Sequence, residues 1–288
     1  MKDIKVEAVV MNEIQKCVEI FEKYGIKTNI NKDNLIVISH YCQPKEATFS
    51  ELGIDENELI KNVVGCSGVF DTRKSALTTF PLEVSQEIIL DEATEITQMP
   101  NLKAVGKFIV NSKLKKLPKL KAVGSISLVN SNVNSLPKLK EAGILIAQNS
   151  KLKDLENLEN VGKLCIIDCP LEELKSLKSA TDIFICSSDE NQKINIKTIN
   201  KLEEVEKLFI ANSLLKTIPN LKKAKKIALF NCEVKNIKSS ICPEVEINSH
   251  ISDEELSSKF DTFTDWYNSA VLNQSLDLLG SVVNQIKK

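Results

Sequence analysis

Arginine and histidine are nearly missing from this chain of 288 residues. Arg73 is the one arginine, and His40 and His250 are the two histidines. The chain is therefore poor in the side chains that read guanine edges in nucleic acids and that act as general bases near neutral pH. The HExxH, GxxxxGK[ST], GxGxxG and GxSxG motifs are also absent. We therefore predict that the protein is not an enzyme, and we expect no cofactor.

Long hydrophobic runs and cysteine pairs are missing as well. No run reaches the roughly 18 apolar residues of a membrane-spanning helix, and the first residues, MKDIKVEAVVMNEIQKC, carry charges where a signal peptide would be apolar. The eight cysteines are scattered without any CxxC spacing, which is typical of reduced thiols that pack as small hydrophobes. These observations predict no membrane span and a cytoplasmic location, with secretion by a route other than Sec left open.

Two small groups of side chains could carry chemistry. His40, Cys42 and Cys66 combine metal-ligand types, but their loose spacing makes a weak zinc pattern, and we predict no metal site. Cys165 and Cys169 look paired, yet strand geometry should turn one toward the concave surface and the other toward the turn. We expect packing roles for all of them.

Charge is balanced over the whole chain and uneven along it. The 38 basic and 39 acidic residues give a net charge of −1, but residues 99–140 hold nine lysines and no acidic residue. This lysine block could attract nucleic acid or another acidic surface. Neither arginines nor stacking aromatic residues interleave with the lysines, so we expect a solvated convex face and disfavour nucleic-acid binding.

The chain repeats itself at a fixed interval. The segment LPKLKAVGSISLVNS, residues 117–131, is nearly copied by LPKLKEAGILIAQNS, residues 136–150. Taking the first leucine of each copy as position zero gives successive spacings of 19, 19, 19, 25 and 19 residues. The zero positions are Leu117, Leu136, Leu155, Leu174, Ile199 and Ile218. Aliphatic residues at plus nine and plus eleven alternate with other types, which predicts one strand in each copy. The longer interval places an insertion at residues 187–195.

The repeat resembles the leucine-rich repeat. Its LxLxxNxLxxL core is visible as Leu164-x-Ile166-x-x-Cys169-x-Leu171-x-x-Leu174, and the resemblance covers residues 60–248. It implies an α/β solenoid: a right-handed coil with a parallel β-sheet on the concave face and short 3₁₀ or extended convex segments. The short repeats are similar to bacterial members of the family. One departure is that Ser or Cys replaces the usual Asn, while an Asn or Asp column lies one place earlier, at Asn130, Asn149, Asp168, Asn212 and Asn231.

Three regions follow from this pattern. Residues 1–58 are predicted to form an N-terminal cap, with a helix over 4–24, a hairpin over 26–38 and a short helix within 50–61. Residues 59–248 form the solenoid. Residues 249–288 are predicted as a C-terminal helical cap, because Ser252 and Glu255 fit a capping box ahead of an amphipathic pattern. That pattern consists of Phe263, Trp266, Ala270, Leu276, Leu279 and Val283.

The predicted concave face carries an unexpected apolar surface. Strand residues at plus eight, ten and twelve should point away from the core, where polar residues are usual. The candidate partner-binding residues are Ile144, Ile146, Cys165, Ile167, Phe184, Cys186, Phe209 and Phe230. We expect an exposed groove for a protein or an amphipathic helix, and so a non-enzymatic protein-interaction scaffold. Cover by a terminal segment of the chain and a homodimer through this face remain equally open, and electrostatic binding through the lysine block is the alternative function.

Overall fold

A computed structural model describes residues 2–90, 95–110, 113–189, 191–235, 237–238 and 240–248, together with Glu254 and Ser258. Side chains are described from residue 11 onward. Among the residues up to 248 that the structure describes, the helices and strands are α1 Lys2–Lys23, β1 Thr28–Ile30, β2 Ile36–Ile38, α2 Glu56–Ile60, β3 Val63–Asp71, β4 Val84–Leu90, β5 Ala104–Val110, β6 Ala122–Ser127, β7 Glu141–Gln148, β8 Asn160–Ile167, β9 Ser179–Cys186, β10 Glu204–Ala211, β11 Lys223–Phe230 and β12 Glu244–Asn248.

All twelve strands form one sheet in the order of the sequence. β1 and β2 pair antiparallel, and every later neighbour pairs parallel, so each strand lies beside the same strand of the next coil. The predicted period is confirmed by the register, since Leu145 pairs with Leu164 one repeat away. Ala180 still pairs with Val205 across the longer interval, so the insertion loops out without shifting the strands. The fold is a parallel β-solenoid.

One continuous core runs along the inside of the coil, from Ile14 to Cys242. The residues at plus nine and plus eleven are fully buried there, as Leu145 and Ala147 illustrate. The segments that return from one strand to the next are extended and contain single turns. The amide of Leu139 donates to the carbonyl of Leu136 over 3.1 Å, and neighbouring return segments touch through parallel bridges. The repeat predicted either 3₁₀ or extended return segments, and the extended form is the one found.

A residue with a left-handed backbone conformation follows each of five strands at the same position of the repeat. The backbone φ angles of Asn130, Asn149, Asp168, Asn212 and Asn231 lie between 47° and 53°. Asn and Asp tolerate this conformation better than other residues with a Cβ, because their short polar side chains can bond locally. The backbone amide of each of these residues still donates a hydrogen bond to the neighbouring strand. The amide of Asn149, for example, donates to the carbonyl of Ile167 over 3.1 Å. The displaced Asn and Asp column in the sequence is therefore the turn that closes each strand.

The N-terminal part contains the predicted helix and hairpin. α1 ends before Gly25, whose φ of 76° suits a residue without a side chain. The second helix is shorter than the predicted 50–61, because Gly53, with φ of 74°, ends a preceding turn and Asp55 caps a new helical start. The predicted C-terminal cap, 249–288, lies outside the described residues except for Glu254 and Ser258, which are helical.

A buried carboxylate ties this N-terminal part to the first coil. Glu56 is 2% exposed and accepts hydrogen bonds from the Tyr41 hydroxyl, from Gln43 Nε2 at 2.8 Å, from Ser75 Oγ at 2.6 Å and from the amide of Ala76 at 3.0 Å. Burial and the hydrogen bond to Glu56 raise the pKa of Tyr41. Because every donor belongs to the chain, the cluster is a structural tie and not an open site.

Candidate interaction surface on the outer sheet face

The outer sheet face, opposite the core, is built from three rows of side chains that cross the strands. The register aligns residues one coil apart, so each row is a column of the repeat. The middle row contains Ile89, Ile109, Ser127, Ile146, Cys165, Phe184, Phe209, Ala228 and Glu246. The row is therefore apolar from β7 to β11, follows Ser127 of β6 and ends in the acidic Glu246 of β12.

The apolar side chains of β7 to β11 form a cluster separate from the core. We call this cluster the apolar strip; it consists of Ile144, Ile146, Cys165, Ile167, Phe184, Cys186, Ala211, Ala228 and Phe230, with Val129 and Phe209 packed against it. All eight residues singled out in the sequence lie together in it. The repeat also places Ala211 and Ala228 on this face, but they were not among the residues predicted to bind a partner.

Three phenylalanine rings form the centre of the strip. Phe184 and Phe209 stack with their ring centroids 4.6 Å apart and an interplanar angle of 8°, and Phe209 and Phe230 lie 5.6 Å apart at 41°. The two alanines explain how three rings fit on adjacent strands. Ala228 pairs with Phe209 and Ala211 pairs with Phe230, so each ring has a small neighbour across the strand. This alternation of large and small residues was the available signal for Ala211 and Ala228.

The strip is buried, which differs from the exposed groove that the sequence predicted. Its nine principal side chains are between 0% and 7% exposed, and Phe209 is half-buried. Ile89 and Ile109 lie in the same row, outside the strip, and are half-buried, as Phe209 is. Neighbours within a sheet cover only the flanks of a side chain, so the low exposure of the strip requires atoms above the sheet face.

Charged side chains border the strip along the first of the three rows. Lys163 and Asp182 form an ion pair at 3.4 Å, and their side chains are only 15% and 20% exposed. Burial lowers the pKa of Lys163, and the nearby carboxylate of Asp182 opposes that shift. Lys207 and Lys226 continue the row, and Lys226 pairs with Glu244 of β12. The border of the strip is therefore rich in lysine.

The cysteines of the strip have the properties of packing residues. Burial raises the pKa of the Cys165 thiol well above its usual value and that of Cys186 to about 12, so both thiols are neutral near pH 7. Cys169 belongs to the main core, and its sulphur is 3.3 Å from Ser150 Oγ. A neutral, buried thiol is a poor nucleophile and a poor metal ligand.

The other candidate sites are not assembled into chemical centres. Cys66 is buried, with a pKa raised to about 11 by burial, whereas Cys42 is exposed and His40 Nδ1 lies 3.0 Å from Ser39 Oγ. Within the described ranges, no group of three or more His, Cys, Asp or Glu residues could hold a metal ion. The insertion is tied to the solenoid, since Asp168 accepts from the amide of Ser188 over 2.7 Å.

The lysine block is partly neutralised by neighbouring coils. Lys103 pairs with Glu83 at 2.7 Å, Lys107 with Glu87 at 2.9 Å and Lys113 with Glu95 at 2.5 Å, while Lys140 lies 3.7 Å from Glu159. Lys119 donates to Asn101 over 3.1 Å. Four of the nine lysines therefore have a carboxylate partner one coil away, which reduces the positive field of the block.

Comparison of the chain with models of protein families, with curated proteins and with solved structures finds no match. In the part of the chain that the structure describes, no helix combines the length and the apolar character that crossing a membrane requires.

Proposed function

We propose that the protein is a non-enzymatic interaction scaffold of the leucine-rich-repeat type, and that the apolar strip binds an apolar segment of a protein partner. The observation that carries this proposal is the second hydrophobic cluster, which is separate from the core and lies on the outer sheet face. The core alone already buries the repeated aliphatic residues. A further apolar surface contributes nothing to a bare solenoid, so its use is to hold another segment.

The dimensions of the strip favour an α-helix as the bound segment. Five strands at a spacing of about 4.8 Å give a length of about 19 Å, which about 13 residues of helix would span. Two rows of side chains on one sheet face are separated by about 7 Å, which suits the single apolar stripe of an amphipathic helix. Lys207 on one border would favour an acidic residue on the flank of that helix, whereas Lys163 and Lys226 already pair with Asp182 and Glu244.

The free thiols indicate the cellular compartment in which this binding would take place. All eight cysteines are unpaired, and a reducing compartment keeps them so. We therefore propose a cytoplasmic location in the producing cell. A bacterial source rests on the resemblance of the short repeats alone.

Affinity capture with a matched pair of variants tests the proposed function. Full-length protein is immobilised as wild type, Phe209→Lys and Ile109→Lys, and an extract of the producing cell is passed over each. Phe209 is in the strip, whereas Ile109 lies in the same row outside it. We expect a protein that is retained by wild type and Ile109→Lys and lost with Phe209→Lys. Equal recovery of every bound protein on all three would refute binding through the strip.

The alternative function, electrostatic binding through the lysine block, has a separate basis and a separate test. Lys103, Lys121 and Lys140 lie in adjacent coils, linked by consecutive backbone hydrogen bonds, and like charges are concentrated there. Binding through this block would weaken steeply as salt is raised and would not respond to Phe209→Lys. Binding through the apolar strip would show the opposite behaviour, with little dependence on salt.

A further inference from the structure

We propose that residues 252–288 of the same chain occupy the apolar strip, so that the binding surface is covered until a partner displaces this segment. The regulatory part of this inference, displacement by a partner, rests on the proposed function. The cover itself rests on the burial of the outer sheet face, on the position of the segment and on its composition.

Two isoleucines at the same position of the repeat differ in burial. Ile109 and Ile146 are on the same row of the outer face, two strands apart, and each has strands on both sides. Ile109 is half-buried, whereas Ile146 is 7% exposed and Ile144 beside it is 3% exposed. Further along the strip Phe184 is 4% and Phe230 0% exposed, and we infer from these large buried rings that atoms lie above β7 and the strands after it. The cover therefore begins near β7.

The N-terminal cap is too far away to supply the cover. Ile14, Val18 and Phe21 of α1 pack into the main core, and α1 contacts β1 at the opposite end of the sheet. From β3 to β7 the sheet extends about 19 Å at the usual strand spacing. The described part of the chain therefore places no other cap element at the strip, and the return segments lie on the opposite side of the core.

The C-terminal segment starts next to the strip. Asn248, the last residue of β12, pairs with Phe230, which ends β11 within the strip. Residues 252–288 follow this point directly and provide 37 residues, against the roughly 13 helical residues that the strip accommodates. A short connection from β12 is sufficient to bring the segment over the sheet face.

The composition of the segment matches the strip and its border. Phe263, Trp266 and Ala270 are spaced at three and four residues, as one stripe of a helix requires. Residues 252–288 contain six acidic residues and three lysines, a net charge of −3. From β8 to β12 the border row contains Lys163, Lys207 and Lys226 against Asp182 and Glu244, a net charge of +1 that is opposite in sign to the segment.

The single tryptophan permits a direct test with the full chain. Trp266 lies in the proposed covering segment. In wild type we expect blue-shifted emission and weak quenching by acrylamide. Phe209→Lys should shift the emission to the red and increase the quenching constant several-fold, and Phe184→Ser should do the same. Ile109→Lys, on the same row outside the strip, should leave both values as in wild type. Far-ultraviolet circular dichroism on each variant confirms that the solenoid remains folded.

Three results would overturn the cover. The first is a tryptophan that is already water-exposed in wild type, and the second is equal quenching in wild type and Phe209→Lys. The third is an emission that changes on dilution together with a doubled mass in sedimentation, because a second copy of the chain would then be the occupant. These measurements contain no partner, so their outcome is independent of the proposed function.

Displacement of the covering segment by a partner is tested with a substitution in the segment, which leaves the strip unchanged. Trp266→Ser removes the largest apolar side chain of the segment. We expect this variant to bind more of an apolar dye and to retain several-fold more of the captured partner than wild type. If the dye signal rises and partner recovery does not, displacement by a partner is refuted while the cover stands. If Phe209→Lys and wild type retain the same proteins, the proposed function fails instead.

Discussion

Replacing Phe230 by alanine should destabilise the protein more than expected for a residue on an open sheet face. The Phe230 side chain is 0% exposed although it points away from the core, and its ring packs against Phe209 at 5.6 Å. Truncation would remove a ring that is enclosed on all sides. The magnitude of the loss therefore reports whether the strip is covered in solution.

The two possibilities differ enough to be measured. A fully buried Phe→Ala substitution costs about 3–5 kcal/mol, since transfer and cavity terms add. On an uncovered face only the flanks of the ring would be buried, and half of the transfer free energy of about 1.5–3 kcal/mol would be lost. We expect Phe230→Ala to cost about 3 kcal/mol or more. Ile109→Ala, at a half-buried position on the same face, should cost about 1 kcal/mol.

Urea unfolding followed by circular dichroism provides the assay. The free energy of unfolding of wild type and of each variant is compared where the slopes with urea agree, because equal slopes indicate equal exposure of surface. A loss below about 1.5 kcal/mol for Phe230→Ala, with an unchanged slope, would contradict the reasoning. Such a result would mean that the outer face of β11 is in contact with water.

Three further predictions concern the turn column, the buried carboxylate and the thiols. Asn149 is exposed with φ of 49°, so Asn149→Ala should lower the free energy of unfolding by about 1 kcal/mol, and Asn149→Gly should not lower it; equal losses would contradict a backbone origin. Glu56→Ala should cost about 3 kcal/mol because the Tyr41 hydroxyl loses its acceptor in a buried place, and a loss near zero in thermal unfolding would disprove the tie. Iodoacetamide at about pH 8 should modify Cys42 well before Cys186, whose pKa is raised to about 12 by burial, because only the thiolate reacts; peptide mass mapping that finds equal rates would refute the burial of Cys186.

The repeated positions were predictable because one physical requirement is imposed on every coil. Leu145 and its equivalents fill the same core column, and Asn149 and its equivalents take the same left-handed turn. A requirement that recurs every 19 residues leaves a period in the sequence, and the period fixes the register of the strands. The solenoid and the common face of Phe184 and Phe209 follow from that register alone.

The N-terminal coils were harder to predict because their periodicity is weak. β2 and β3 pair with an irregularity between Ile36 and Val37, and β3 and β4 with another between Cys66 and Val69. An extra residue in one strand breaks the two-residue alternation on which strand prediction depends. The inclusion of the hairpin in the same sheet could be recognised only in the structure.

The burial of the strip could not be predicted, because alternation along a strand states which way a side chain points and not what lies above it. Ile109 and Ile146 have the same residue type and the same place in the repeat, yet they differ in exposure. On the proposed cover, this difference depends on a segment that is distant in sequence. The relevant pattern, an amphipathic stretch beginning near Ser252, predicts a helix equally well at the end of the solenoid or over its face.

The positions that vary between coils therefore contain the functional information. Core columns must be alike in every coil because neighbouring coils present the same surface to each other, whereas the outer rows are free of that constraint. In the middle row they change from Ile109 and Ser127 to Phe184 and Phe209 and then to Glu246. An apolar segment bounded at both ends by more polar coils limits the length of what it can hold. This boundary is why we propose one short helix, and not an extended ligand along the whole solenoid, as the segment that the outer face binds.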